Sequence, residues 1–187
     1  MVATAGLRGD SSWSFGLPET TQRDPHSTKD PVALDEGIRL RGSIDLVERA
    51  PDGALRATDH KTGKAWAQQG TVIGGGATLQ PALYALALEK LFPGSRVEGG
   101  RLYYCTYAGE FESVSVALEV AARGSVAQLA KTVSEGVSSG FLPAAPRDER
   151  ECGRCDYLAV CGPSEWKRTR RKPAEALQAL VQLRSMP

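Results

Sequence analysis

The sequence contains no apolar run near the roughly 18 to 20 residues that a membrane-spanning helix needs. Its N-terminal residues also lack the charged start and apolar core of a secretory signal peptide. Its 23 basic residues nearly cancel its 22 acidic ones, so the net charge of +1 gives no global sign of a nucleic-acid or membrane partner. We therefore expect a cytoplasmic protein with no membrane partner, in which any recognition by charge is local.

Two further scarcities narrow the functional classes. The glycine-rich stretch after Lys61 lacks the Gly-x-x-x-x-Gly-Lys-Ser/Thr order of a phosphate-binding loop, so any ATP-driven step must come from another chain or domain. There are only two histidines, and His26 lies in Asp-Pro-His-Ser-Thr, a turn composition that indicates a solvated loop. The 187 residues, of which 41% are hydrophobic, predict a single domain with a buried core.

Cysteine is also scarce, but three of the four cysteines are close together in the sequence. Cys152-x-x-Cys155-x-x-x-x-x-Cys161 supplies three thiolates, enough for three corners of a [4Fe-4S] cluster or of a tetrahedral zinc site. The residue types alone leave iron–sulfur and zinc equally open, with free thiols as a third reading. This spacing favours a reducing compartment. Cys105 lies inside a predicted strand, where a buried structural thiol is the simpler interpretation.

The pattern along the chain predicts an α/β domain. Residues 1–30 are expected to be poorly ordered, apart from one edge strand at about Trp13 to Leu17. A strand meander follows, then a helix, a hairpin and two further helices. The predicted strands are 32–34, 38–48, 55–61, 97–107 and 111–118, and the predicted helices are 79–92, 120–138 and 174–183.

The strand pattern places chemically active side chains together. Because side chains alternate across a strand, Asp59 and Lys61 share one face and His60 points to the other. Asp45 and Asp59, with the backbone carbonyl of His60, are candidate oxygen ligands for Mg²⁺ or Mn²⁺ beside a phosphodiester. Lys61 would orient the attacking water and stabilise transition-state charge. Taken alone, Asp-x-Lys more often marks a solvated strand with a surface ion pair.

The order of several motifs is more specific than any one of them. Gly42-Ser43-Ile44-Asp45 precedes Asp59-His60-Lys61, and Gln80-x-x-x-Tyr84 follows on a predicted helix. In this order the sequence resembles the PD-(D/E)XK nuclease superfamily, in particular the RecB-type nuclease domain of bacterial helicase-nucleases such as AddB.

The resemblance implies a restriction-endonuclease-like fold, with a mixed central sheet flanked by helices. It implies that Asp45 and Asp59 bind metal, that Lys61 is catalytic, and that Gln80 and Tyr84 help to position the site or the DNA. It also favours the [4Fe-4S] cluster over zinc for the cysteine trio. The implied division is a nuclease core at 31–150, a cysteine cluster loop at 151–163, and a basic tail with a C-terminal helix at 164–187.

The sequence departs from its relatives at two points. They draw a fourth cysteine from upstream of the core, whereas residues 1–104 contain none. They also supply a histidine or glutamate to the metal from an upstream helix, and no residue before Asp45 matches it. Both departures would follow if this chain is the C-terminal part of a longer protein, or if its gene model starts late.

The sequence therefore predicts a metal-dependent DNA nuclease, with an exonuclease favoured, that acts on single-stranded ends in double-strand-break repair or recombination beside a helicase. The basic run Lys167 to Lys172, next to Trp166, could contact DNA or could be a solvated linker. One alternative function is a truncated or catalytically incomplete nuclease fold that only binds DNA. The other is a zinc-stapled interaction domain.

Overall fold

A four-stranded mixed sheet with helices on its flanks forms the centre of the structure, a computed structural model that describes residues 30–162 and 164–187. The strands are β1 (Val32–Ala33), β2 (Arg39–Leu40), β3 (Leu46–Arg49), β4 (Leu55–Lys61), β5 (Val97–Tyr104) and β6 (Ser113–Ala117). The helices are α1 (Gln80–Leu91), α2 (Val120–Ser138), α3 (Glu149–Gly153), α4 (Leu158–Cys161), α5 (Glu165–Thr169) and α6 (Gln178–Arg184). The edge strand and weak order expected before residue 30 lie outside the described residues.

The central sheet has the order β3-β4-β5-β6, and β1 and β2 form a separate antiparallel pair. β4 runs parallel to β5, while β3 and β6 pair antiparallel on the two outer sides. A tight turn joins β3 to β4, with Asp52 accepting a hydrogen bond from the Ala54 backbone N–H at 3.1 Å and Gly53 at a φ of 88°. The parallel pair requires a crossover, which α1 provides.

One face of the sheet is covered by α1 and α2, and the main core lies between them and the strands. The Ala- and Leu-rich α1 buries Ala82 and Ala85 against the sheet. Gly100 in β5 allows the helix to come this close, since a Cβ there would lie 2.1 Å from the Pro81 carbonyl oxygen. This close approach places the first turn of α1 beside β4.

The connection from β4 to α1 contains a 3₁₀ turn at Gly74–Gly76 that packs against the end of α6. The Gly75 backbone N–H donates to the Met186 carbonyl at 2.9 Å, and the Ile73 N–H donates to the Pro187 carbonyl at 2.7 Å. Gly75 has a φ of 60°, and a Cβ on it would lie 2.4 Å from the Arg184 carbonyl oxygen. The turn therefore connects the segment between β4 and α1 to the C-terminal residues that follow α6.

The α/β fold class predicted from the sequence is confirmed, with a four-stranded mixed sheet flanked by helices. The single strand predicted at 38–48 is wrong, because the chain leaves strand geometry around Gly42 and Ser43 and divides into β2 and β3. The segment expected as a cysteine loop contains α3 and α4, and the last predicted helix begins as a 3₁₀ turn at Glu175–Leu177. Among the described residues, no helix is both long and apolar enough to cross a membrane.

Candidate functional site

Asp59 and Lys61 lie on the same face of β4, at the end nearest the first turn of α1. The Lys61 Nζ is 2.6 Å from the Asp59 Oδ2, and the Asp59 side chain is 6% exposed whereas that of Lys61 is 29% exposed. The alternation of side chains along β4 produces this pairing, since the interior residues Leu55 and Ala57 occupy the same face. The ion pair is therefore partly shielded from water but still open on the lysine side.

Gln80, the first residue of α1, bridges the two members of that pair. Its Nε2 donates to the Asp59 Oδ1 at 2.9 Å, and its Oε1 accepts from the Lys61 Nζ at 2.5 Å. The Tyr84 hydroxyl, one helical turn later, accepts from the Gln80 Nε2 at 3.4 Å. One amide thus contacts both charged groups at once and fixes their relative positions.

Asp45 precedes β3 directly and reaches the neighbouring strand. Leu46 is opposite Thr58 in the β3–β4 register, so continuing the register places Asp45 opposite Asp59. The Asp45 Oδ2 accepts a hydrogen bond from the His60 backbone N–H at 2.9 Å and lies 3.8 Å from the His60 Nδ1. The Asp45 side chain is 42% exposed, so one carboxylate of the site is buried and the other faces solvent.

The His60 imidazole lies on the other face of the sheet from Asp59. Its ring meets the Tyr103 ring edge-on, with the centroids 5.9 Å apart. The hydrogen bond from His60 to Asp45 is donated by its backbone N–H, and the metal-binding role predicted for its carbonyl stays a prediction.

Asp59 and Asp45 offer carboxylate oxygens, the donor type that a divalent cation such as Mg²⁺ takes. The Asp59 Oδ2 is buried and accepts no hydrogen bond of normal geometry from the described residues, although the Lys61 ammonium is close. Such an oxygen is a suitable metal ligand, and Asp45 supplies a second carboxylate. In the part of the chain that the structure describes, no group of three or more His, Cys, Asp or Glu side chains is arranged to hold a metal.

A second charged cluster lies on the opposite face of the sheet, and the motif analysis missed it. Glu48 is 2% exposed and accepts hydrogen bonds from Arg56 at 2.9 Å and from Arg101 at 3.0 Å, and the Thr58 hydroxyl also donates to it. Burial opposes ionisation of Glu48, but the hydrogen bonds from Arg56 and Thr58 and the nearby guanidinium charges outweigh it and lower its pKa. The sequence signal that could have revealed this cluster is the alternation of side chains along β3 and β4, which places Glu48 and Thr58 on one face of the sheet.

The three cysteines of the trio line one cavity of about 230 Å³, together with Glu151 and Glu165. Asp148 caps the N-terminus of α3, accepting from the Arg150 N–H at 2.8 Å, and this helix carries Cys152 inward. Cys152 is buried and Cys155 is exposed. Burial raises the pKa of the Cys152 thiol, and the charge of Glu165 and the other two cysteines raise it further.

Cys105 does not belong to that cavity. It is half-buried at the end of β5, where its backbone N–H donates to the Lys61 carbonyl at 3.0 Å and its Sγ lies 3.5 Å from the same oxygen. The structure brings the residues predicted from the sequence together at two places. One site contains Asp45, Asp59, Lys61, Gln80 and Tyr84, and the other contains Cys152, Cys155 and Cys161.

The fold and the Asp-x-Lys site define the class of the protein. The model of the PD-(D/E)XK nuclease superfamily matches residues 11–162, so the chain belongs to that superfamily. PD-(D/E)XK nucleases use divalent metals, and membership supports nuclease activity for this chain.

Two curated relatives are CRISPR-associated exonuclease Cas4/endonuclease Cas1 fusions. The protein from Myxococcus xanthus is 31% identical over 137 residues, a match that covers 70% of this chain and 22% of that protein. The protein from Geobacter sulfurreducens is 29% identical over 154 residues, covering 80% of this chain and 26% of that protein. The chain thus spans about a quarter of the length of these relatives.

Proposed function

We propose that this chain is a metal-dependent DNA exonuclease domain that hydrolyses phosphodiester bonds at single-stranded ends. The observation that carries the proposal is the arrangement of Lys61, held between Asp59 and Gln80, with Asp45 on the adjacent strand. Superfamily membership and the exonuclease named in both relatives support it.

Asp45, Asp59 and the His60 carbonyl would hold the metal. Mg²⁺ or Mn²⁺ bound there supplies Lewis acidity and charge neutralisation at the phosphoryl group. Two of the three N–H donors of the Lys61 ammonium have Asp59 and Gln80 as partners, which leaves one donor for a substrate. Lys61 orients the attacking water and stabilises the charge that develops on the phosphoryl oxygens. Gln80 keeps that ammonium in place, and Tyr84 holds the Gln80 amide from the next turn of α1.

The cysteine cavity would hold a [4Fe-4S] cluster through Cys152, Cys155 and Cys161, with zinc as the alternative. The three thiols around this cavity are the donor type that either group takes, although within the described residues they are not arranged as a metal-holding group. Bound there, the group would cross-link α3, the turn that follows it and the end of α4. All four cysteines are free, which supports a reducing, cytoplasmic location.

We also propose that the domain works beside a second DNA-processing module. Both relatives join an exonuclease to an endonuclease in one chain, which favours an endonuclease partner for this chain as well. The helicase partner and the role in double-strand-break repair, which the RecB-type resemblance implies, remain predictions.

One observation favours a second function, a DNA-binding module without cleavage. In the described residues only two carboxylates converge near Lys61, and no group of three candidate ligands is present. A site with too few ligands would bind metal weakly and cut slowly, while the fold could still hold DNA.

End-labelled single-stranded DNA separates the two functions. The proposal predicts shortening of the strand from one end with Mg²⁺ or Mn²⁺, no product with EDTA, and little product from Asp59→Asn. Circular single-stranded DNA controls for an endonuclease, since an exonuclease leaves it intact. Retention of DNA on the protein without any metal-dependent product would select the binding module instead.

A further inference from the structure

A second cavity, of about 270 Å³, lies against the other side of α5 from the cysteines. Glu165 lines the cysteine cavity, Trp166 and the following Arg170 line the second cavity, and Thr169 at the end of the helix lines both. We call the second cavity the basic cavity, and its charged lining residues are Arg170, Lys172 and Arg184.

The basic cavity has an excess of positive charge. No acidic side chain lines it, and none of its three cations has an ion pair within the part of the chain that the structure describes. The Lys172 Nζ donates to the Ala144 carbonyl at 2.6 Å, and the Arg184 guanidinium donates to the Ala145 carbonyl. These carbonyl contacts orient the cations without neutralising them.

A neighbouring cation adds to this excess. Burial lowers the pKa of Arg184, and the charge of Arg147 lowers it further, while Glu151 acts in the opposite direction. Arg147 itself donates to the Gly75 carbonyl at 2.9 Å, so it remains close to the cavity. A concave site lined by three cations and no acidic side chain is suited to an anion.

Trp166 makes the cavity suitable for a base as well as a phosphate. Its indole is half-buried, and the Arg170 guanidinium carbon lies 5.7 Å from the ring centroid. Aromatic faces beside arginines are a common way for proteins to hold single-stranded nucleic acid. The volume is slightly below the roughly 300 to 1,000 Å³ of drug-sized sites, a size suited to one nucleotide.

We propose that the basic cavity binds one nucleotide of a single-stranded DNA substrate, with the base against Trp166 and the phosphate against Arg170, Lys172 and Arg184. This inference rests on the proposed nuclease function, because it assigns part of the same substrate to a second place on the chain. It gives the basic tail a defined role, through the residues that line a cavity rather than through its charge alone.

Binding is measured by the fluorescence anisotropy of a labelled oligothymidylate, in EDTA and in a Lys61→Ala background so that no strand is cut. Trp166→Ala is expected to weaken binding about 5- to 100-fold, because one stacking contact is lost. Trp166→Phe is expected to restore most of the affinity. Arg170→Gln is expected to reduce the salt dependence of binding by about one phosphate contact.

Lys131→Gln, on the exposed surface of α2, is the matched control for charge and should bind like the parent. The proposal is overturned if folded Trp166→Ala binds the oligonucleotide as tightly as the parent, or if duplex DNA shows the same dependence on Trp166. Cleavage by the wild type with no Trp166 effect on binding would remove the cavity proposal and leave the nuclease. Binding that depends on Trp166, in a chain that never cuts, would support the cavity proposal and remove the nuclease proposal.

Discussion

Gln80 is an uncharged residue placed where a carboxylate and an ammonium group meet. Its amide donates to Asp59 with one atom and accepts from Lys61 with the other, so neither charge can move without losing a hydrogen bond. Under the proposed function, Gln80 would act by holding Asp59 and Lys61 in place. Lys61, with a side chain 29% exposed, remains free to contact a substrate.

Removing the bridging amide should therefore reduce the rate more than it reduces stability. We expect Gln80→Ala to lower kcat about 10- to 100-fold, in the range found for residues that orient metal-site groups. The matched control is Gln128→Ala, since Gln128 contacts only Thr132 within α2 in the hydrogen bonds described. Equal kcat for wild type and Gln80→Ala would show that the bridge has no role in the reaction.

At the scale of the elements, the central sheet carries a buried charge network on the face opposite the site. Glu48 of β3 is bound by Arg56 of β4 and Arg101 of β5, so one carboxylate links three strands. Breaking such a network by removing the carboxylate charge is expected to cost roughly 3 kcal/mol of unfolding free energy.

The network also gives the sheet an acid-sensitive element. Because the pKa of Glu48 is lowered below its ordinary value of 4.5, its contribution to stability is fully present above that value and is lost as the pH falls through the lowered pKa. We expect Glu48→Gln to lower the Tm at pH 7 and to flatten the decline of Tm below pH 4.5. Thermal unfolding across pH 2 to 7 checks this, and an unchanged acid slope in the variant would contradict it.

The position of α1 over the sheet depends on Gly100 in β5. Gly100→Ala would place a Cβ 2.1 Å from the Pro81 carbonyl oxygen, so the first turn of α1 must move away from β5 and carry Gln80 with it. We expect a loss of about 1 to 3 kcal/mol in stability and a lower rate of cleavage.

Gly124→Ala in α2 is the control for the glycine substitution. A Cβ there meets no atom within 4 Å, so this variant should gain about 0.5 to 1 kcal/mol and cut normally. Denaturant unfolding together with the rate of cleavage distinguishes the two. A Gly100→Ala variant as active and stable as the wild type would show that the close approach is unimportant.

At the scale of the whole molecule, the C-terminal segment closes onto the turn before α1. The Gly74 and Gly75 backbone N–H groups donate to the carbonyls of Pro187 and Met186, which follow α6, and the Arg147 side chain donates to the Gly75 carbonyl. The cysteine cavity and the basic cavity share α5 as a wall, and Thr169 lines both, so we expect any group bound by the cysteines to influence the positions of Trp166 and Arg170.

Removing one cysteine should therefore affect more than its own site. We expect Cys155→Ala, prepared without oxygen, to lose bound metal and unfold at a lower temperature, since binding to such a site is part of the folding free energy. Cys105→Ala, outside the cavity, should retain the metal. Iron with a brown colour indicates the cluster, and zinc without colour indicates the alternative. Wild type purified without oxygen and free of both metals would contradict the cysteine site.

Features set by neighbouring residues in the chain could be predicted from the sequence, whereas features set by contacts between distant segments could not. The pairing of Asp59 with Lys61 follows from the two-residue period of a strand, so it could be predicted from local pattern. The contact of Gln80 with both could not, because it depends on Gly100 allowing α1 to approach β5. The basic cavity depends on the packing of α5 against α6, and a run of basic residues does not determine that packing.

The most direct test of the account is the single-turnover rate of cleavage of end-labelled single-stranded DNA with Mg²⁺, compared between wild type and Lys61→Ala. Lys131→Ala, which also removes one exposed ammonium group, is the control. The account predicts metal-dependent cleavage by wild type and by the control, and a loss of at least about 100-fold in Lys61→Ala. Equal rates in wild type and folded Lys61→Ala would contradict the central claim that this site cuts DNA.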